Sequence, residues 1–186
     1  MTKQPPAHSV SNIPNLLTLF RLVMVPLVVW LILTHNLKAA FYIFLLAGIT
    51  DAIDGYLARK WNSQTELGAY LDPAADKSLI VGIFLTLGFL SLIPLWLVII
   101  VVSRDIFIVG AILISWLMDK PVRIHPLFIS KANTALQIIL AAFILANQGF
   151  NLQLGSLENS LCILTAIVTL LSAFSYFQAW LDHLNE

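Results

Sequence analysis

Charge is scarce in this chain, and thiols are scarcer. Ten basic and ten acidic residues make up 11% of 186, and the formal net charge is zero. A soluble domain would carry charge at about a quarter of its positions. The balance itself neither favours nor disfavours nucleic acid. Cys162 is the sole cysteine, so no disulfide forms within the chain and a thiol-based metal site is excluded in practice; it reads as a small core residue. The four histidines, His8, His35, His125 and His183, fall in polar breaks or near the ends of the sequence. They read as solvated side chains. No repeat of 20–50 residues and no low-complexity stretch is evident. What the chain has in quantity is apolar residues, at 59%, and that places it among integral membrane proteins and away from nucleic-acid partners.

A helix needs about 20 apolar residues to cross the hydrocarbon core. Six windows meet that length, at 15–33, 39–57, 71–90, 95–117, 130–146 and 161–181. The expectation is an all-α bundle of six transmembrane helices forming a single domain over 1–186. The first window carries Arg21 and has no small-x-small pattern after it, so it reads as a retained helix and not a cleaved signal. The breaks at 34–38, 91–94 and 148–159 are short, polar or rich in Pro and Gly. Lys3, Arg59, Lys60, Lys120, Arg123 and Lys131 fall on one side of this topology and only Lys38 on the other. The positive-inside rule then puts both termini in the cytoplasm. Five tryptophans mostly near window ends read as an interfacial belt.

Four aspartates stand out against this background. Asp51, Asp54, Asp72 and Asp76 lie at the cytoplasmic ends of the second and third windows. An Asp at a membrane helix centre costs roughly 2.5–3.5 kcal/mol on insertion scales, and less near the interface. Asp51 and Asp54 are spaced i, i+3 and Asp72 and Asp76 i, i+4, so each pair shares a helix face. Four carboxylates with no His or Cys nearby are hard oxygen ligands, suited to Mg²⁺, Mn²⁺ or Ca²⁺ and not to zinc. Two such ions about 3.5–4 Å apart would polarise a phosphoryl oxygen and stabilise a leaving phosphate. Gly55, Ala58 and Gly68 leave helix walls bare, which serves either a close ligand or helix packing. Arg59 is placed to meet a phosphate, to neutralise an Asp or to snorkel to the interface.

The strings D-A-I-D-G-Y-L-A-R and G-A-Y-L-D-P-A-A-D-K fill every position of the signature D-x-x-D-G-x-x-A-R…G-x-x-x-D-x-x-x-D. The chain thereby resembles the CDP-alcohol phosphatidyltransferase family, and its opening I-P-N-L-L-T-L-F-R is similar to that family's first helix. The resemblance implies a six-helix membrane enzyme that moves a phosphatidyl group from a CDP-linked donor to an alcohol and releases CMP. It implies Asp51, Asp54 and Asp72 as ligands of two Mg²⁺ or Mn²⁺ ions, and Asp76 as the metal-proximal general base. Gly55, Ala58, Arg59 and Gly68 would form the nucleotide side of the donor site with Asp51 and Asp72, and Asn15 and Thr18 would contact the cytidine diphosphate end. A homodimer is also implied.

The acceptor is approached through Ser103-Arg104-Asp105 in the fourth window and Phe128–Gln137 opening the fifth. An Arg inside a membrane span needs a partner: Asp105 pairs with it, or a lipid phosphate does. Lys131 is either an interfacial anchor or a phosphate contact. These stretches, with Ala173–Tyr176, most resemble CMP-forming cardiolipin synthases of bacteria and mitochondria, whose acceptor is phosphatidylglycerol. The sister phosphatidylglycerophosphate synthases take glycerol 3-phosphate, a dianion that asks for more positive charge, and resemblance implies a further Arg about two turns beyond the first. Here 106–114 carries no charge. The expected partners are therefore CDP-diacylglycerol as donor and phosphatidylglycerol as acceptor, giving cardiolipin and CMP. Glycerol 3-phosphate is the alternative, with Arg21, Arg104 and Lys131 as acceptor-binding residues in either case. The expected location is the bacterial plasma membrane or the mitochondrial inner membrane, with the site on the cytoplasmic or matrix face. A divalent-cation or proton transporter would also use intramembrane carboxylates, but those are commonly set near the midplane between repeats, and here they crowd one face.

Overall fold

The computed structural model describes the backbone of residues 12–61, 66–117 and 128–185, and the side chains of 23–50, 77–111 and 128–181. Among the described residues the secondary structure is helical throughout, in six helices: α1 (Asn12–Leu33), α2 (Leu37–Trp61), α3 (Glu66–Phe89), α4 (Leu95–Leu117), α5 (Phe128–Phe150) and α6 (Gly155–Asn185). Each apolar window of the sequence lies within one of them, apart from the last residue of the third. α5 and the Gly155–Leu181 part of α6 are long and apolar enough to cross a membrane. The described parts of α1, α2 and α3 supply shorter apolar stretches, Val23–Leu33, Leu37–Thr50 and Lys77–Phe89.

Among the described residues the helices close a ring. α1 packs on α2 and α3, α2 on α5, α5 on α6, α6 on α4 and α4 on α3, with α3 also touching α5. Val28, Ile32, Phe44, Ile83, Phe84, Leu87, Leu97, Val101, Leu140 and Ile144 fill the centre. The outer surface is just as apolar: Trp30, Tyr42, Ile49, Phe89, Ile106, Ile139, Ile167 and Phe174 are all exposed. Single exposed apolar residues need no explanation, but a surface apolar on helix after helix marks an interaction with something other than water.

Three tight turns join α1 to α2, α3 to α4 and α5 to α6. His35 and Ser91 adopt left-handed backbone at φ 57 each. At the first turn Asn36 N–H reaches the Leu31 carbonyl and His35 N–H the Ile32 carbonyl; at the second, Leu92 N–H reaches Leu87 and Ser91 N–H reaches Gly88. Both are Schellman caps, which satisfy the carbonyls a helix end leaves orphaned. The third turn is shorter than the expected break at 148–159, since only 151–154 leave the helix. The reason is hydrogen bonding. Asn147 Oδ1 accepts from Leu154 N–H at 3.0 Å, while its Nδ2 donates to Glu158 Oε2 at 2.7 Å. Polar residues thus extend both helices past the apolar run.

α2 begins hard against the end of α5. A Cβ at Gly149 would lie 3.0 Å from the Lys38 backbone nitrogen and 3.1 Å from the Leu37 carbonyl carbon. Backbone atoms cannot rotate aside. Gly149→Ala is expected to lower stability by about 1–3 kcal/mol, the usual cost of overpacking. Thermal unfolding in detergent measures it, and an unchanged midpoint would contradict this contact.

Candidate active site

α2 is continuous helix through Asp51 and Asp54, and α3 through Asp72 and Asp76. The sequence spacings therefore translate into shared helix faces. The side chains of these four residues lie outside those described, as do those of Asn15, Thr18, Arg21, Gly55, Ala58, Arg59 and Gly68. Among the described residues no three His, Cys, Asp or Glu gather into a cation site. The donor set on α2 and α3, carboxylates alone on two helical segments, is the kind that a hard divalent cation takes.

Directly after Asp76 comes a charged cluster. Lys77 on α3 forms an ion pair with Asp105 Oδ1 on α4. The same oxygen accepts from Arg104 Nη1 at 2.7 Å. Arg104 is 4% exposed. Its Nη2 donates to Ser130 Oγ on α5 at 2.7 Å and to Ser172 Oγ on α6 at 2.8 Å. The guanidinium also lies over the Tyr176 ring, 5.4 Å from its centroid, at cation–π distance. Ser172 and Tyr176 are i, i+4 on α6, so one helix face supplies both contacts. Arg104 therefore ties α4 to α5 and α6, and Asp105 ties α4 to α3. Asp105, one of the two partners the sequence left open for Arg104, is in place. Lys131 is exposed and directly follows Ser130.

A polar seam runs on from this cluster between α5 and α6. Ser130, Asn133 and Gln137 are spaced i, i+3, i+7 on α5; Thr165, Thr169, Ser172 and Tyr176 follow i, i+4, i+7, i+11 on α6. Asn133 and Gln137 are 0% and 2% exposed. The Thr169 hydroxyl lies 2.7 Å from both Asn133 Oδ1 and the Thr165 carbonyl oxygen, and shares its one proton between them. Arg104 Nε, Asn133 Nδ2 and Gln137 Nε2 are buried donors with no partner among the described residues. Each such orphan costs about 1–3 kcal/mol.

Arg104, Asp105, Ser130, Lys131, Asn133, Gln137 and Tyr176 fall within the stretches singled out in the sequence and Lys77 ends the signature string, but spacing gave no role to Lys77, left out Ser172 and did not pair α5 with α6. The helical spacing of hydroxyl and amide residues was the available signal for the seam. Nothing local marked Lys77, whose partner lies 28 positions away.

Comparison with known proteins bears on the same regions. The sequence profile of the CDP-alcohol phosphatidyltransferase family matches residues 11–176. A rat protein named cardiolipin synthase (CMP-forming) is 38% identical over 182 residues, covering 89% of this chain and 60% of the rat protein. Its human counterpart is 36% identical over 182 residues with the same coverage. The Escherichia coli K12 CDP-diacylglycerol–glycerol-3-phosphate 3-phosphatidyltransferase is 35% identical over 176 residues, covering 90% of this chain and 94% of the bacterial protein. The chain thus spans about 60% of the length of the animal relatives and nearly all of the bacterial one. With the aspartate signature inside the matched range, the chain belongs to the CDP-alcohol phosphatidyltransferase family.

Proposed function

We propose that this chain is a membrane enzyme of phospholipid biosynthesis that transfers a phosphatidyl group from CDP-diacylglycerol to phosphatidylglycerol, giving cardiolipin and CMP. The observation that carries the reading is the complete aspartate signature within a family match over residues 11–176. The six helices cross the bilayer as one domain, with both termini and the aspartate face on the cytoplasmic or matrix side. Apolar residues exposed on the described helices support that topology, as does the Lys and Arg distribution. The working unit is a homodimer.

Asp51, Asp54 and Asp72, with Asp76 at their edge, would hold two Mg²⁺ or Mn²⁺ ions, which when bound neutralise charge on the donor phosphates. Asn15, Thr18, Gly55, Ala58, Arg59 and Gly68 line the donor side. Asp76 accepts the proton of the acceptor hydroxyl as that oxygen attacks the phosphorus bearing diacylglycerol. The P–O bond to CMP breaks in line, and CMP leaves. Arg21 and Lys131 meet the acceptor's phosphate, while Arg104, buried and engaged by Asp105, Ser130 and Ser172, holds α4, α5 and α6 in place around that site. Positioning and fixed charge supply most of the acceleration.

Two observations favour a lipid acceptor with a single phosphodiester charge: the 38% and 36% identity to cardiolipin synthases and the uncharged stretch 106–114. The second reading, transfer to glycerol 3-phosphate, is favoured by the 35% identity over 176 residues to the Escherichia coli transferase. Purified protein supplied with CDP-diacylglycerol and each acceptor in turn decides between them. Cardiolipin is expected from phosphatidylglycerol, with CMP release abolished by EDTA. Consumption of glycerol 3-phosphate alone overturns the acceptor and leaves the chemistry standing. No CMP with either acceptor overturns both acceptor readings.

A further inference from the structure

We propose that the turn between α5 and α6 holds a lipid-headgroup site, at the end of the bundle remote from the aspartate motif, and that it takes the primary ammonium of a zwitterionic phospholipid. The inference rests on the six-span reading above and not on the reaction.

An open pocket of about 450 Å³ lies at that turn, lined by Asn147, Gln148, Asn151, Gln153, Glu158 and Asn159. Its size is that of a small-molecule site, but its walls are amides and one carboxylate. Asn147 is buried and Glu158 half-buried. Glu158 Oε2 accepts from Asn147 Nδ2 at 2.7 Å and from Gln148 Nε2 at 3.4 Å. Both donors are neutral, so they fix the carboxylate and leave its charge. The side chains of the turns at 34–36, 90–94 and 151–154, and of the helix turns beside them, are all described. Besides His35, that end of the bundle carries one cation, Lys38, and one anion, Glu158. Lys38 is held over the Phe150 ring, 5.7 Å from its centroid, and the ion pairs among the described residues, Lys77–Asp105 and Arg104–Asp105, lie elsewhere. Glu158 thus gives the pocket an uncompensated negative charge. An ion taken partly out of water without a counter-ion costs free energy that a bound cation recovers.

The walls select among cations. A hard divalent ion is commonly held by clustered carboxylates, and Glu158 is the only acid lining the pocket. A primary ammonium suits these walls better. It brings three N–H donors: a carboxylate takes one in a charge-assisted bond, and amide oxygens take the others. A quaternary ammonium brings no N–H and is the ligand of aromatic cages. The surroundings say that the ammonium comes on a lipid. Phe150, Leu152, Leu154 and Leu157 stand exposed in the same segment, so a polar pocket opens inside an apolar rim. Such a boundary fits an amphiphile, its head on the amides and its chains along the helices. A lipid of net negative charge is disfavoured by Glu158. The site is also far from the reaction. α2 begins against this turn, at Gly149, and rises about 21 Å from Leu37 to Asp51 at about 1.5 Å per residue.

The test is thermal unfolding of the full-length protein in detergent with phosphatidylethanolamine, phosphatidylcholine or free ethanolamine added. The two lipids share phosphate and acyl chains and differ in the N–H groups of the amine. Phosphatidylethanolamine is expected to raise the midpoint by about 3–6 °C at about ten times its Kd, and phosphatidylcholine by markedly less. Glu158→Gln keeps the shape, loses the charge and is expected to abolish the shift. Gly155 also lines the pocket, and a Cβ there meets nothing within 4 Å. Gly155→Leu therefore fills the pocket with Glu158 intact and the lipid-free midpoint unchanged, and it too is expected to abolish the shift. Should Glu158→Gln fail to fold, Gly155→Leu decides alone. An equal shift from phosphatidylcholine overturns the proposal, as does an undiminished shift in Gly155→Leu. A shift of the same size from free ethanolamine at the same concentration overturns the lipid and makes the site one for soluble amines. A chain that leaves the membrane fraction on carbonate extraction fails the six-span reading; one that stays there without the lipid shift fails this proposal alone.

Discussion

Asp76→Asn is expected to lower turnover by about 10²–10⁴-fold, the usual contribution of a positioned general base, with CDP-diacylglycerol still bound. The amide matches the carboxylate in shape but cannot take a proton from the acceptor hydroxyl. The discriminating measurement pairs kcat with donor binding, followed as ligand-induced thermal stabilisation. Loss of donor binding at unchanged kcat would assign Asp76 to the donor site and remove it from proton transfer. Asp76 lies one position before the tethered Lys77, so the same variant also reports whether that neighbourhood tolerates the loss of a negative charge.

The second large effect is expected at Arg104. Arg104→Met removes a buried guanidinium that joins α4 to α5 and α6 through Ser130 and Ser172. Breaking a buried ion pair from one side costs about 3–5 kcal/mol. Asp105 retains Lys77, so the lower end of that range applies. A large fall in the midpoint of thermal unfolding should accompany loss of activity. Arg104→Lys is expected to fail almost as badly. One ammonium on a shorter head cannot reproduce a planar fork that serves a carboxylate and two hydroxyls at once. Wild-type melting and activity in Arg104→Met would show that the cluster binds nothing together.

Much of the fold was legible because hydrophobic length is a direct readout of the solvent. Each apolar window marks a helix, and each polar break except that at 148–159 falls near a helix boundary. That exception has a physical cause. Hydropathy reports where lipid contact ends, whereas the backbone stays helical as long as its hydrogen bonds are met. At that end Asn147 Oδ1 meets the Leu154 N–H, and Glu158 holds the Asn147 amide in place. The aspartate signature was legible from spacing alone, since i, i+3 and i, i+4 fix a common face without any knowledge of tertiary contacts. The pairing of Arg104 with Asp105 was visible as one of two options. Lys77 was not, because its partner comes from another helix and an adjacent motif already accounted for its surroundings. The seam of Asn133, Gln137, Thr165 and Thr169 became readable only once α5 and α6 were known to be neighbours.

That seam carries a consequence for biogenesis. Inserted singly, α5 would turn two amides toward acyl chains, and α6 would expose a row of hydroxyls; together they close on one another and leave mostly hydrocarbon outward. Polar groups that find each other across a helix pair are spared contact with lipid. The two segments are thus each other's partners for these polar groups, joined by the short turn at 151–154. Arg104 needs α5 and α6 side by side, because its two hydroxyl acceptors, Ser130 and Ser172, come one from each.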